Sequence, residues 1–153
     1  MSADLLHFED FEPGRTFALG PKTVTADEII HFASKFDPQP MHLDEEAGRA
    51  SILGGLSASG WHTCSILMRM FFDAIVSRSA SEGGPGIDDM AWKRPVIAGD
   101  TLTGTCTVVE ARPSNSRPAI GIVTLRHELV NQAGDLVAVM VHPVMVRRRE
   151  ATT

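Results

Sequence analysis

The stretch FDPQPMHLD, residues 36–44, sets Asp37 and His42 five positions apart with Pro38 and Pro40 between them. A carboxylate and an imidazole on one short loop can hold a single water and exchange a proton with it, because histidine titrates near neutrality. Each proline fixes its own φ and restricts the residue before it, so the loop carries two side chains at little extra entropic cost. Such a loop is preorganised. Two other readings of the same residues stand beside this one. Asp37 could end a helix while His42 satisfies its hydrogen bonds locally. Alternatively, Asp37, His42 and Asp44 could hold a metal, although the sequence offers no clear further ligand.

Regular elements must carry this loop, and the sequence places them. Thr25-Ala26-Asp27-Glu28 has the capping-box form, ahead of Ile29, Ile30, Phe32 and Ala33 at helical spacing. A helix over about 26–36 follows, and Pro38 disfavours helical backbone at Asp37, which therefore stands just past its end. A short helix over 44–50 leads into a glycine turn at Gly54-Gly55. Ser57, Ser59 and Gly60 then form a helix N-terminus, where unpaired N–H groups and the helix dipole favour negative charge. Ordinary capping without a ligand is the alternative there. From Trp61 to about Ala80 no proline or glycine intervenes, and Trp61, Cys64, Met68, Phe71 and Ile75 recur three or four apart. Leu67, Met70, Phe72, Ala74 and Val76 fill much of the remaining circumference, so a helix of about 30 Å is expected to be buried on most sides.

The second half supplies strands to wrap it. Residues 101–108 alternate Leu102, Gly104, Cys106 and Val108 with four threonines, the pattern of a half-buried strand. Residues 87–94, 120–130 and 136–146 are further strands, the last two joined by a hairpin loop over 131–135. Residues 136–146 are apolar on both faces, which suits a central strand or one covered by a partner subunit. Pro143 suits a bulge or an unpaired edge near its end. The 113–118 stretch, with a proline at each end, separates two strands and shows no sign of an interdomain linker. A long helix followed by an antiparallel meander predicts an α+β fold in which a curved sheet wraps the helix.

The 153 residues suit one domain, 1–153. With 43% hydrophobic and 22% charged residues, the chain lies in the range of folded globular proteins and outside that of disorder. A net charge of −5 gives no basic field for nucleic acid, and Arg147-Arg148-Arg149 is too short to supply one. Two cysteines, Cys64 and Cys106, without CxxC spacing argue against a structural zinc or a disulfide framework. The N-terminal residues lack the basic and apolar regions of a secretory signal. The apolar run 66–76 is interrupted by Arg69 and Asp73. A cytoplasmic location and no membrane span are therefore expected.

FDPQPMHLDEEAG resembles the signature G-D-x-N-P-x-H of the MaoC-like dehydratases and R-specific enoyl-CoA hydratases. GGLSASGWHT resembles the family's entry into its central helix, and PVIAGDTL also fits, so the resemblance covers nearly the whole chain. It implies a hot-dog fold: a curved antiparallel sheet wrapped around one long helix, normally a dimer of such units. It also implies reversible syn addition of water to a trans-2-enoyl thioester, giving the R-3-hydroxyacyl product. No metal is implied, and no cofactor beyond the coenzyme A of the substrate. By the same resemblance Asp37 and His42 are the catalytic pair, and Gly60 offers its backbone N–H to the thioester carbonyl. Phe36 stands where the motif has glycine, Gln39 where it has asparagine, and Ser59 where the family has a histidine.

With an acyl-CoA as substrate, Trp61, Met90 and Trp92 could line an acyl pocket, against simple core packing for each. Lys93 and Arg94 could meet the phosphates of coenzyme A, or form a solvated strand end. His62 and Cys64 lie two positions apart, which places them on different helix faces and argues against a Cys/His nucleophile. His127 and His142 sit among apolar strand residues and read as packed or interfacial. Two rivals keep the same fold: a hot-dog thioesterase that hydrolyses the thioester, and a non-catalytic acyl-CoA-binding protein. One short sheet cannot cover both the apolar helix and the doubly apolar strand, so a homodimer is expected.

Overall fold

The computed structural model describes residues 5–149, so four positions at each end of the expected 1–153 unit lie outside the described residues. In chain order the elements are Thr16–Thr23 (β1), Ala26–Phe36 (α1), Glu45–Ala50 (α2), Gly60–Ala74 (α3), Asp89–Trp92 (β2), Thr101–Pro113 (β3), Ile120–Val130 (β4) and Leu136–Arg147 (β5). The five strands form one antiparallel sheet in the order β1-β3-β4-β5-β2. Sheet and α3 bury their apolar residues against each other. Ile66, Leu67, Met70 and Phe71 of α3 share a core with Leu102, Cys106 and Val108 of β3, Leu125 and Leu129 of β4, and Met140 and Val144 of β5. Full burial of a side chain such as Leu67 stabilises by about 1.5–3 kcal/mol, and this core is where most of that gain lies. The result is α+β, a sheet around one long helix, which is the hot-dog arrangement. Among the described residues no helix is long and apolar enough to cross a membrane.

The helix ends follow local chemistry. Thr25 caps α1 by accepting the Glu28 N–H at 3.2 Å, while the Glu28 carboxylate turns to Lys22. Asp44 caps α2 by accepting the Ala47 N–H at 2.9 Å. Within α2, Gly48 lies against the backbone of Gly55 and Leu56; a Cβ there would stand 2.5 Å from the Gly55 carbonyl. That close crossing fixes the path of the chain into Ser57, Ser59 and α3.

Several elements differ from the sequence reading. α3 ends at Ala74 rather than near Ala80: Ile75 leaves helical geometry at φ −132°, ψ −58°, and Val76–Arg78 forms a 3₁₀ turn. Ile75 is buried although it leaves the helix, so apolar periodicity carries no mark of the break. Nor is α3 buried on most sides. Trp61, Met68 and Phe72 are 64%, 45% and 43% exposed, because one sheet covers one side of a helix. β1 has no counterpart in the reading. Its alternation is short, Phe17 and Leu19, and the register shifts between Leu19 and Lys22, across Gly20-Pro21. The expected strand over 87–94 is trimmed to Asp89–Trp92, and β3 continues to Pro113 through a register shift between Val108 and Glu110.

β5 lies between β4 and β2, so its two apolar faces are those of a central strand. β2 pairs only with Ala138–Val141. Beyond it, the Met145 N–H donates to the Gly83 carbonyl at 2.7 Å. Pro143, which has no N–H to give, falls in the unpaired stretch between these two contacts.

Candidate active site

Asp37 is the C-cap of α1, and its N–H still donates to the Ala33 carbonyl at 2.9 Å. Pro40 opens a 3₁₀ turn, Pro40–His42, that carries His42 inward until it is 5% exposed. The two proline-flanked residues converge: Asp37 Oδ2 lies 3.5 Å from His42 Nε2. On its other side the imidazole meets the Ser57 carbonyl, Nδ1 to O 2.6 Å. A carbonyl only accepts, so Nδ1 carries a proton, and the neutral tautomer with that proton turns a bare Nε2 toward Asp37.

The carboxylate is held from two sides. The Ser59 hydroxyl donates to Oδ2 at 2.6 Å and the Gln39 amide to Oδ1 at 2.8 Å. The Ser59 hydrogen bond, with help from Gln39 and the nearby imidazole, holds the Asp37 carboxyl below its ordinary range despite the opposing effect of burial. Asp37 is therefore ionised at neutral pH. Ser59 also caps α3, its Oγ accepting the Trp61 N–H at 3.3 Å. One hydroxyl thus joins the carboxylate to the helix start. Gly60, the first residue of α3, has no acceptor for its N–H among the described residues. The Trp92 indole lies on Gly60 so closely that a Cβ there would be 2.5 Å from Cε2, which only glycine avoids.

A cavity of about 240 Å³ opens beside this pair, lined by His42, Gly60, Trp92, Lys93 and Arg94 among others. Those five predicted residues come together there. Asp37 adjoins the cavity through His42, whereas Trp61 points outward and meets the ring of Trp92 edge-on at 5.7 Å. Met90 is partly buried, one same-face position along β2 from Trp92. Lys93 has no ion pair among the described residues, and Arg94 lies 4.0 Å from Asp135. A larger cavity, about 840 Å³, flanks α3 near Phe32, His62 and Met70, but neither Asp37 nor His42 lines it. His62 is stacked on Phe32 with centroids 4.6 Å apart, and Cys64 is half-buried with its thiol pushed up by desolvation. Asp44, the third member of the metal reading, is occupied as the cap of α2, and the described residues contain no cluster of three metal-ligating side chains.

The sequence reading has Ser57 and Ser59 at a helix start but misses their bonds to His42 and Asp37. Those partners are 15 and 22 residues away. The available signal was a serine directly before the helix glycine.

The family model for the MaoC-like domain matches residues 10–131. An (R)-specific enoyl-CoA hydratase of Rhodospirillum rubrum is 32% identical over 121 residues, 74% of this chain and 78% of that protein. A mesaconyl-CoA hydratase of Cereibacter sphaeroides is 30% identical over 146 residues, covering 94% of this chain but 41% of the longer relative. The crystal structure of a MaoC-like dehydratase from Rhodospirillum rubrum superposes with a TM-score of 0.87 at 41% identity, covering 95% of this chain and 99% of that one. With its sheet-wrapped helix and a family match over most of its length, the chain belongs to the MaoC-like domain family.

Proposed function

We propose that this protein is a hydro-lyase that adds water reversibly to a trans-2-enoyl-CoA thioester, giving an R-3-hydroxyacyl-CoA. The observation that carries this reading is the 3.5 Å approach of Asp37 Oδ2 and His42 Nε2 beside the unpaired N–H of Gly60. A water between the two side chains meets two acceptors. As its oxygen bonds to C3, one proton passes to the pair and the C2–C3 π electrons move onto the thioester oxygen. The Gly60 N–H and the N-terminal end of α3 favour that enolate charge. The pair then returns a proton to C2 from the same face, so hydroxyl and hydrogen add syn and both side chains regain their starting state. Lys93 and Arg94, at the cavity wall, suit the phosphates of coenzyme A, and Trp92 gives the thioester an apolar surface. The R outcome is supported by the R-specific relative.

The same reading includes a second copy of the chain. Trp61, Met68 and Phe72 on the outer side of α3, with Trp92 and Ile87 at the β2 edge, leave an apolar surface open in one copy. A homodimer would cover it. Sedimentation should therefore give a dimer at micromolar concentration, and a stable folded monomer would refute this. A panel of enoyl-CoA thioesters, followed for loss of conjugation and for release of free thiol, tests the reaction. Loss of conjugation alone is expected. Free thiol without a hydroxyacyl product would establish a thioesterase instead.

A further inference from the structure

A second histidine pair lies away from the first. His127 of β4 and His142 of β5 bring their Nε2 atoms to 2.8 Å, with Phe71 edge-on to both rings. They are 0% and 7% exposed. His127 Nδ1 is sealed in the core without a hydrogen-bond partner. His142, in contrast, lines a cavity of about 520 Å³ whose other walls include Met68, Phe71, Val76, Ile87 and Val144. Its Nε2 is taken by His127, and its Nδ1 has no hydrogen-bond partner among the described residues.

The proton positions follow from the sealed atom. If His142 donated in the Nε2–Nε2 bond, His127 would carry its own proton on the sealed Nδ1, an N–H with nothing to bond. If His127 donates, that atom is a bare lone pair and His142 carries its proton on Nδ1, beside the cavity. The second arrangement leaves no buried N–H unpaired and is favoured. Across the strand pair, Asp89 faces Val141, which sets Asp88 beside His142. Burial pushes the His142 pKa down, and the Asp88 carboxylate opposes that effect.

This cavity shares no lining residue with the thioester site, but α3 and β2 run from one to the other. Gly60, Cys64 and Met68 follow one another at four-residue intervals on α3, with Phe71 next on the same flank. β2 runs alongside: Trp92 lies on Gly60, Met90 follows on the same face, and Asp88 lies beyond. The helix rise puts Met68 about 12 Å from Gly60, a distance that a medium-length acyl chain spans.

We propose that the distal part of the acyl chain occupies the His142 cavity, where His142 Nδ1–H donates to an oxygen on the chain, so that the enzyme favours acyl thioesters oxygenated toward their far end. This rests on the thioester reading above. A plain alkyl end would displace water from the imidazole and leave its N–H unpaired in a largely apolar cavity, which Ser79 and Ser81 also line, whereas a hydroxyl, keto or carboxylate oxygen would restore the bond.

Saturated thioesters test the cavity without chemistry. Calorimetric titration of the wild-type protein with octanoyl-, decanoyl- and dodecanoyl-CoA and their ω-hydroxy counterparts should show about tenfold tighter binding of the best-fitting oxygenated member than of its plain partner. His142→Leu should remove or reverse that preference, and kcat/KM for the matching 2-enoyl thioesters should follow the same ratio. Equal or weaker binding of every oxygenated member, or no binding at all, would overturn the proposal, as would an unchanged preference in a folded His142→Leu protein. Should that variant fail to fold, the wild-type comparison decides alone. A binding preference without hydration of any enoyl thioester would sink the reaction assignment and leave the cavity assignment standing.

Discussion

His42 and His142 are both nearly buried imidazoles with one nitrogen committed to a hydrogen bond, yet their surroundings equip them for different work. His42 gives Nδ1 to the backbone carbonyl of Ser57 and turns Nε2 to the ionised carboxylate of Asp37. His142 accepts at Nε2 from His127, a neutral partner whose own pKa desolvation, then the neighbouring imidazole, pushes down to about 3. A proton arriving at His42 finds a countercharge 3.5 Å away. One arriving at the second pair finds His127 sealed in the core, with the Asp88 carboxylate beside His142 to oppose burial. At the second pair burial is the main cause that lowers both histidine pKa values, and the partners act after it.

The largest effect should come from the first pair. Asp37→Asn and His42→Gln are each expected to lower enoyl-CoA turnover by about 10²–10⁴-fold with the fold retained. Their double mutant should be little worse than the worse single mutant, because residues acting on one water do not contribute independently. Steady-state kinetics with circular dichroism decides this, and a folded His127→Leu protein that loses as much turnover would erase the contrast between the pairs.

Next in size is the helix start. Gly60→Pro removes the N–H and should cost about 10²–10³-fold in turnover where helix content is preserved. Gly60→Ala keeps the N–H but drives a Cβ into Trp92, so its smaller loss should fall mainly on KM.

Ser59→Ala sharpens the comparison at the carboxylate. Ser59 stabilises the ionised form, so its loss should raise the Asp37 pKa and move the acid limb of the pH–rate profile to higher pH. Near neutral pH the rate change should stay under about tenfold.

The last effect is on stability rather than on rate. His127 binds a proton near pH 6.5 when unfolded but only near 3 when folded, so the unfolded state holds more protons between those values. Stability should therefore be fully present above about pH 6.5 and decline as pH falls toward 3, at up to about 1.4 kcal/mol per pH unit from this group. Denaturant melts across that range should show the slope, and His127→Leu should flatten it.

Much of the architecture was legible because it rests on local rules. Thr25, Pro38 and Asp44 act on backbone within a few residues, and they set the ends of α1 and α2 where the sequence places them. The alternation of Leu102, Cys106 and Val108 needs only a strand's two-residue period. What failed was non-local. β1 is a strand because β3 pairs with it, and α3 has an open side because only one sheet reaches it.

The candidate site divides in the same way. Sequence by itself determined the stiff loop between Asp37 and His42 and the glycine at the start of α3, since proline geometry and the absence of a Cβ are properties of single residues. Tertiary structure alone decided that Ser59 binds Asp37 across 22 positions, that Ser57 orients His42, and that His127 meets His142 across two strands. A hydrogen bond needs two atoms about 3 Å apart, and chain separation carries no information on that distance until the sheet and helix have packed.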